Sequence, residues 1–343
     1  MLNPQGRAVA SEQPVLRLAL AGFSAAEQSR LCVVLAQRSA RRKIQWQVAP
    51  PGEADAWFVN GARVQRLPDA TLRIMPGLPS GRSIRINLAQ VDWPVAFSTP
   101  IGAPDVEPTY AFDADAPATV DAVLEQIEGF LRPLMLQFYL ASHLVQADLD
   151  LRTGVYHVQI HGKLVAVVSP RSGVGVWALA EVGHMRHAVW SHRPESAGAI
   201  PAFFVRTEFS ELMWQYAIRT TRDCLPTHYR SKTLFIRRPP KIPMRLMTDA
   251  CLLLVRELGA MPGTLAELSQ RTGMPDAQLS RHLAALCLVG AITSDPRRAG
   301  RTNGVAEPTG WNLSAPADSA PGAGANEVTV RLKIDRDQPK EQP

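Results

Sequence analysis

The chain has 343 residues, of which 46% are hydrophobic and 20% are charged, and its formal net charge is +6. This length allows two or three globular domains, and the composition is that of an ordinary globular protein. No window is apolar over the length of a membrane span, and residues 1–14 lack the apolar core of a signal peptide. These features argue against a membrane-bound or secreted protein, so we expect a cytoplasmic one. The four cysteines contain no C-x-x-C pair, which favours buried thiols over a redox or metal site.

Residues 15–131 are predicted to form an α/β domain after a flexible N-terminus over residues 1–14. An apolar strand over Val15–Ala21 is followed by a helix over Ala25–Arg38, for which Ser24 is a suitable N-cap. Further apolar or alternating runs predict four more strands: Ile44–Val48, Ala54–Val59, Ile84–Leu88 and Pro94–Phe97. This order of strand, helix and strand, with apolar strands, favours a parallel sheet.

Two amphipathic segments follow the predicted sheet. Thr119–Phe130 reads as a helix, Pro133 is expected to kink or break it, and Leu134–Leu149 resumes as a connecting helix within residues 132–150. The apolar faces of these helices fit packing within one chain and contact between two protomers equally well.

The first 130 residues resemble the receiver domain of response regulators in strand and helix order and in length. The resemblance implies a phosphate-accepting Asp after the third strand, where this chain has Asn60. It also implies an acidic pair after the first strand to hold Mg²⁺, but Gly22, Phe23 and Ser24 occupy that turn. No equivalent of the Lys after the last strand is found either. An amide cannot form an acyl phosphate, so we predict a pseudo-receiver that takes no phosphate. An unrelated small α/β domain is the alternative.

Residues 151–238 are predicted to form an α+β module whose function is not visible in the sequence. Arg152–Ser172 reads as a β-hairpin with a turn at His161-Gly162. A helix over Glu208–Thr220 and a short strand over Thr233–Ile236 complete the module.

Three histidines in this module, His184, His187 and His192, are the main metal candidates. The H-x-x-H spacing can place two imidazoles on one metal, but no cysteine is near and acids are few. A structural or solvent-facing set is the favoured interpretation, and no metal or cofactor is predicted. No nucleophile elbow, zinc-protease helix or kinase signature is present, so we do not expect an enzyme.

The glycine-containing turn that starts at Arg171 is a candidate anion site. It lacks the phosphate-binding loop pattern, so a nucleotide second messenger is only an alternative ligand. Arg237 and Arg238 are natural phosphate partners for such a ligand.

Residues 243–314 are predicted to form a mostly α winged helix-turn-helix. The prediction begins with a helix over Arg245–Leu258 capped by Gly259, and Thr264 with Glu267 forms a capping box for a second helix. A third helix is opened by Pro275 and Asp276 and ended by Gly290, and the two wing strands are Ala291–Ser294 and Gly310–Leu313. The apolar stripe of the third helix leaves Gln278, Ser280, Arg281 and Ala284 on the side where bases would lie.

This stretch resembles the winged-helix domains of arsenic-repressor and multiple-antibiotic-repressor type. The match rests on Leu265, Leu268, Gly273, Ser280-Arg281-His282-Leu283, Leu286 and Gly290-Ala291-Ile292. The resemblance implies that Ser280 and Arg281 approach DNA and that the wing arginines Arg297, Arg298 and Arg301 approach phosphates. Residues 237–301 carry ten Lys and Arg against five Asp and Glu, a net +5 that is nearly the whole excess of the chain.

These parts together predict a regulator in which a signal to the N-terminal or middle part moves the winged helix relative to DNA. A symmetric dimer is compatible with this function. The alternatives are a protein-interaction adaptor that does not bind DNA and a nucleotide effector using Arg171, Arg237 and Arg238. The tail, residues 315–343, is predicted to be disordered, although Glu327–Ile334 alternates enough to pair as an edge strand.

Overall fold

The computed structural model describes residues 12–68, 71–103, 106–147, 154–300 and 327–329. The chain divides into two compact units, an N-terminal unit of Met1–Leu212 with Glu327–Pro343 and a C-terminal unit of Met213–Asn326. The elements of the first half of the N-terminal unit are, in chain order, β1 Val15–Ala21, α1 Ala25–Arg42, β2 Gln45–Val48, β3 Ala56–Val59, β4 Val64–Arg66, β5 Leu72–Ile74, β6 Ser83–Ile86, β7 Val95–Ser98, β8 Tyr110–Phe112, α2 Pro117–Phe130 and α3 Arg132–Gln146.

Five strands of the N-terminal unit form one parallel sheet in the order β2-β1-β3-β7-β8. Counted along the sheet's own strands this is the order 2-1-3-4-5, that of doubly wound α/β proteins. The predicted parallel-sheet α/β region is therefore confirmed. One face packs against α1 and α2 through a core that includes Leu16, Phe58 and Leu124.

The other face of the parallel sheet is covered by a second sheet rather than by helices. Strands β4, β5 and β6 pair antiparallel, and Glu327–Thr329 adds in parallel to β6. Trp57, Ile74 and Phe97 are buried in the core of this layer. The predicted strand at Ile84–Leu88 thus exists as β6, but its expected place in the parallel sheet was wrong.

The helix boundaries follow local signals that the sequence carries. Ser24 caps α1 in a complete capping box with Glu27. α2 ends at Phe130 and α3 begins at Arg132, so the predicted break at Pro133 is confirmed. Both helices contribute buried residues to the core of their own chain, which accounts for their apolar faces without a second protomer.

An antiparallel sheet forms the second half of the N-terminal unit. Its strands are β9 Val155–Ile160, β10 Lys163–Ser169, β11 Gly173–Val176, β12 Val189–Arg193 and β13 Val205–Thr207. The helix α4 Phe209–Arg219 follows, and the boundary between the two units falls inside it, after Leu212. The strand order is β12-β9-β10-β11-β13. The predicted turn at His161-Gly162 is confirmed, since both residues have positive φ, 48° and 75°.

The C-terminal unit is helical with a small β component. Its further elements are α5 Thr227–Ser231, β14 Phe235–Ile236, α6 Asp249–Ala260, α7 Leu265–Thr272, α8 Asp276–Leu288 and β15 Ile292–Thr293. Residues 213–238, which the sequence pattern assigns to the middle module, contribute Trp214 and Leu234 to the core of this unit. β14 pairs antiparallel with β15, and Leu234 forms a bridge with Gly263 on the other side.

Two predicted boundaries in this unit were wrong. α6 starts at Asp249 rather than Arg245, because Met244–Leu246 form a 3-10 turn after Pro243 and Thr248 supplies the N-cap. Gly259 lies inside α6 and does not cap it, since the helix ends at Ala260. Across the part of the chain that the structure describes, no helix combines the length and apolar character needed to span a bilayer.

Candidate nucleic-acid interface

Helices α7 and α8 are joined by a tight turn whose geometry is locally determined. The backbone N–H of Thr264 donates to Glu267 Oε2 at 2.7 Å, and Gly273 ends α7 with a φ of 68°. Within the turn Met274 is buried, and its carbonyl accepts from Ser269 Oγ at 2.9 Å. The hydrogen bonds that Thr264 gives Glu267 hold the pKa of that carboxyl below its usual range. The predicted capping box and glycine turn are therefore confirmed.

The fully exposed residues of α8 lie at its beginning. Asp276, Ala277, Gln278 and Arg281 are exposed, and Ser280 is half-buried. Residues 282–286 are all buried in the core of the unit. Gln278 and Arg281, three residues apart, therefore share the exposed stripe. The expectation that Ala284 lies on the base-facing side was wrong, since Ala284 is 2% exposed.

The predicted wing arginines lie directly after β15. Arg297 and Arg298 are exposed in a 3-10 turn over Pro296–Arg298, and Asp295 Oδ1 caps this turn by accepting from the Arg297 backbone N–H at 2.9 Å. Arg301 and the predicted second wing strand at Gly310–Leu313 lie outside the described residues.

Arg237 and Arg238 follow β14 and reach the C-terminal end of α8. Arg238 Nη2 donates to the Val289 carbonyl at 3.2 Å. A Cβ atom placed on Gly290 would lie 3.1 Å from Arg238 Nη2 and 4.0 Å from Arg237 Nη1. Both guanidinium groups therefore converge on Gly290, which has a φ of 68° and ends the helix. Arg171, the proposed third member of an anion site, instead contacts Glu195 Oε2 at 2.7 Å within the N-terminal unit.

The exposed arginines of this surface lack acidic partners. Within the described ranges no carboxylate forms an ion pair with Arg237, Arg238, Arg281, Arg297 or Arg298. In the same unit Arg230 pairs with Asp223 and Arg256 pairs with Glu257. Exposed guanidinium groups without a carboxylate partner are available for binding a polyanion.

The pKa of Tyr229 is affected by the charges of two of these arginines. Burial raises the pKa of its phenol to about 12, together with its interaction with Cys287. The charges of Arg237 and Arg298 act in the opposite direction on the same phenol. Arg237 and Arg298 therefore both lie within electrostatic range of this ring, although 61 positions separate them in the chain.

Asn60, for which the sequence predicted the position of a degenerate phosphate acceptor, is held by internal hydrogen bonds. It directly follows β3 and is 7% exposed, and its Nδ2 donates to Glu27 Oε1 at 3.3 Å. Its Oδ1 accepts from the Ala62 backbone N–H at 3.2 Å. The fifth strand of the sheet is β8 rather than the predicted Pro94–Phe97, and the residue that follows β8 is Asp113, not Lys.

The crevice beside Asn60 is filled by the chain itself. In a 2-1-3-4-5 sheet, ligands bind at the carboxyl ends of the strands where the strand order reverses, here between β1 and β3. The loop Met75–Gly77 lies on that edge, so close that a Cβ on Gly77 would be 2.2 Å from the carbonyl carbon of Phe23. Arg63 Nη1 fixes the loop by donating to the Pro76 carbonyl at 2.9 Å.

The histidines of the middle module are engaged with different partners. His184 Nδ1 lies 3.2 Å from Glu181 Oε2, and its ring packs edge-on against His161. His192 packs against Tyr156 instead. Among the residues that the structure describes, no three His, Cys, Asp or Glu side chains are grouped so that they could hold a metal.

The association of Arg237 and Arg238 with α8 is the feature that the sequence did not predict. Strands at both positions were predicted, but the pairing of β14 with β15 that creates the association joins residues more than 50 positions apart and leaves no signal in local spacing. No known protein family, curated protein or solved structure matches the chain significantly.

Proposed function

We propose that the chain is a cytoplasmic, phosphorylation-independent regulator whose C-terminal unit is a winged helix that binds duplex DNA. In this proposal α8 enters the major groove with its first two turns. Gln278 and Arg281 contact base edges, and Ser280 and the arginines after β15 contact the sugar-phosphate backbone. This proposal depends on one observation: Gln278 and Arg281 are exposed on the first turns of a helix whose residues 282–286 are buried.

The side-chain chemistry supports reading of bases from this stripe. An arginine can donate two hydrogen bonds to guanine O6 and N7, and a glutamine can pair with adenine N6 and N7. Arg281 has no carboxylate partner among the described residues, so DNA would not have to displace an existing ion pair. Because the accessible part of α8 is short, we expect a short site in each half of any dimeric target.

The test is selection by the full-length chain from a random duplex pool, followed by affinity measurements across a salt series. We expect enrichment of a defined site and a steep fall in affinity with salt. Arg281→Ala should weaken specific binding by about 1–3 kcal/mol and relax preference at one position. Arg256→Ala is the matched control, since Arg256 is also exposed and in the same unit but pairs with Glu257.

The N-terminal unit is proposed to act as a pseudo-receiver that transmits a signal other than phosphorylation. The amide at Asn60 and the loop that covers it support this part of the proposal. A ligand or partner would have to bind elsewhere on the unit.

A protein-interaction adaptor is the second candidate. It is favoured by the exposed apolar side chains of Met244 and Met261 in the C-terminal unit, 53% and 56% exposed. If the affinity is the same for all duplex sequences and Arg281→Ala does not change it, this function would be favoured over DNA reading. A nucleotide effector using Arg171 is less well supported because Glu195 already compensates that charge.

A further inference from the structure

We infer that an arginine platform of Arg237, Arg238 and Arg298, at the C-terminal end of α8, binds the phosphate backbone of duplex DNA. This inference rests on the proposed DNA-binding function and adds Arg237 and Arg238, which lie outside the predicted wing, to the backbone contacts of the wing arginine Arg298. Arg237 and Arg238 come from the strand that precedes the helices, not from the segment that follows them.

The pairing of the small strands places the platform. Leu234 pairs with Gly263 on one side of β14, while Phe235 and Ile236 pair with β15 on the other. β14 therefore lies between the segment before α7 and the strand after α8. The Ile236 carbonyl accepts from the Gly300 backbone N–H at 2.8 Å, so the chain after β15 returns alongside β14. Arg237 and Arg238 leave this strand directly at the end of α8, where Arg237 N donates to the Ala291 carbonyl at 2.8 Å.

The spacing fits a helix in the major groove. α8 ends at Leu288, seven residues beyond Arg281, which corresponds to about 10.5 Å along a helix axis, and Gly290 follows two residues later. The major groove is about 12 Å wide. If Arg281 contacts a base edge, groups at Gly290 are therefore within reach of the phosphates that border the groove. The guanidinium groups of Arg238 and Arg237 both lie near Gly290, at 3.1 and 4.0 Å from the position that a Cβ atom would take on this glycine.

The charges of the platform are available for phosphate. Arg237 and Arg298 both act on the Tyr229 phenol and form no ion pair with the described carboxylates. Arg238 uses one N–H to cap α8 at Val289, and a guanidinium has five donors, so four remain. Planar arginine forks suit bidentate contact with phosphate oxygens.

A purely structural role is the competing explanation for Arg238, because an arginine at the C-terminal end of a helix stabilises the last carbonyls. The same explanation does not cover Arg237 or Arg298, for which no such hydrogen bond is recorded among the described residues. The test therefore uses Arg237→Ala and Arg298→Ala, singly and together, and leaves the helix cap intact.

The experiment measures affinity of the full-length chain for duplex DNA at salt concentrations between 0.05 and 0.2 M. Each phosphate contact contributes a slope of about −0.9 to the plot of log K against log salt, so each variant should flatten the slope by about that amount. Over this fourfold range one lost contact makes the fall in affinity roughly 3.5-fold smaller. The loss should be uniform across sequences, unlike that of Arg281→Ala. Arg256→Ala controls for the removal of one positive charge.

The outcomes separate this inference from the proposed function. One outcome is that the chain enriches a defined sequence, but Arg237→Ala and Arg298→Ala flatten the salt slope no more than Arg256→Ala does. This outcome would overturn the platform and keep the DNA-reading function. Flattened slopes without any sequence preference would support the platform and overturn specific reading by α8. No binding to any duplex would overturn both.

Discussion

The N-terminal unit contains a buried ion cluster that joins α1 to α2. The side chain of Arg38 is 1% exposed, and its Nε and Nη2 atoms donate to the two carboxylate oxygens of Glu128 at 2.6 and 2.7 Å. Its Nη1 donates to Asp121 Oδ1 at 2.6 Å. The indole N–H of Trp46 donates to Glu128 Oε1 at 2.9 Å. The cluster thus has one cation, two carboxylates and one neutral donor.

Replacing Arg38 with Met keeps most of the apolar stem and removes the charge. Glu128, whose side chain is 10% exposed, would retain only the neutral indole donor, while the half-exposed Asp121 would return to water. Removal of one partner from a buried pair costs about 3–5 kcal/mol because the other charge is left uncompensated. We expect the free energy of unfolding of this unit to fall by that amount.

An exposed ion pair between the same two helices supplies the control. Arg42 Nη2 lies 2.7 Å from Glu125 Oε1, and the two side chains are 50% and 60% exposed. Arg42→Met should cost no more than about 1 kcal/mol, because solvent screens such pairs. The double variant Arg38→Met with Glu128→Leu should recover part of the loss, since no buried charge remains.

The assay is urea unfolding combined with hydrogen exchange of the amides in α1, which reports local opening free energies. The reasoning would be refuted if Arg38→Met and Arg42→Met lost the same stability. It would also be refuted if the double variant were less stable than Arg38→Met alone.

Three further predictions concern the N-terminal unit. Gly77→Ala should cost about 1–3 kcal/mol, because its Cβ would overlap the Phe23 backbone; Gly52→Ala, where nothing lies within 4 Å, is the control in urea unfolding. Neither the native chain nor Asn60→Asp should be labelled by acetyl phosphate with Mg²⁺, and stoichiometric labelling of either would contradict the covered crevice. Burial lowers the pKa of His143 from 6.5 to about 4, so stability should fall as pH drops from 6.5 towards 4. We expect a loss of about 2–3 kcal/mol, absent from His143→Phe, in urea titrations at fixed pH values.

Local signals in the sequence predicted the elements whose causes lie within a few residues. Ser24 with Glu27 and Thr264 with Glu267 form complete capping boxes, and Gly273 adopts the left-handed conformation that its position required. Each of these interactions joins residues no more than four apart, so the pattern is present in the sequence itself.

The parts that escaped prediction depend on contacts between distant residues. β4, β5 and β8 have three residues each, too few to show a period of two, and so the second sheet and the fifth parallel strand were missed. Arg238 and Val289 are 51 residues apart, so their hydrogen bond could not be read from spacing. The position of Asn60 was predictable from the end of a strand, but the loop that covers it was not.

The covered edge beside Asn60 has a consequence for protein redesign. Glu27, the carboxylate that receives the Asn60 amide, also accepts the Ser24 backbone and hydroxyl hydrogens at 2.7 and 2.6 Å. Phosphate acceptance at this edge would need an acid at position 60, release of Glu27 from the start of α1 and withdrawal of Met75–Gly77. Because the first two of these changes would disturb the unit without opening the edge, no single substitution can introduce the chemistry. An engineered phosphate site would therefore have to be built by redesigning the loop and the helix start together.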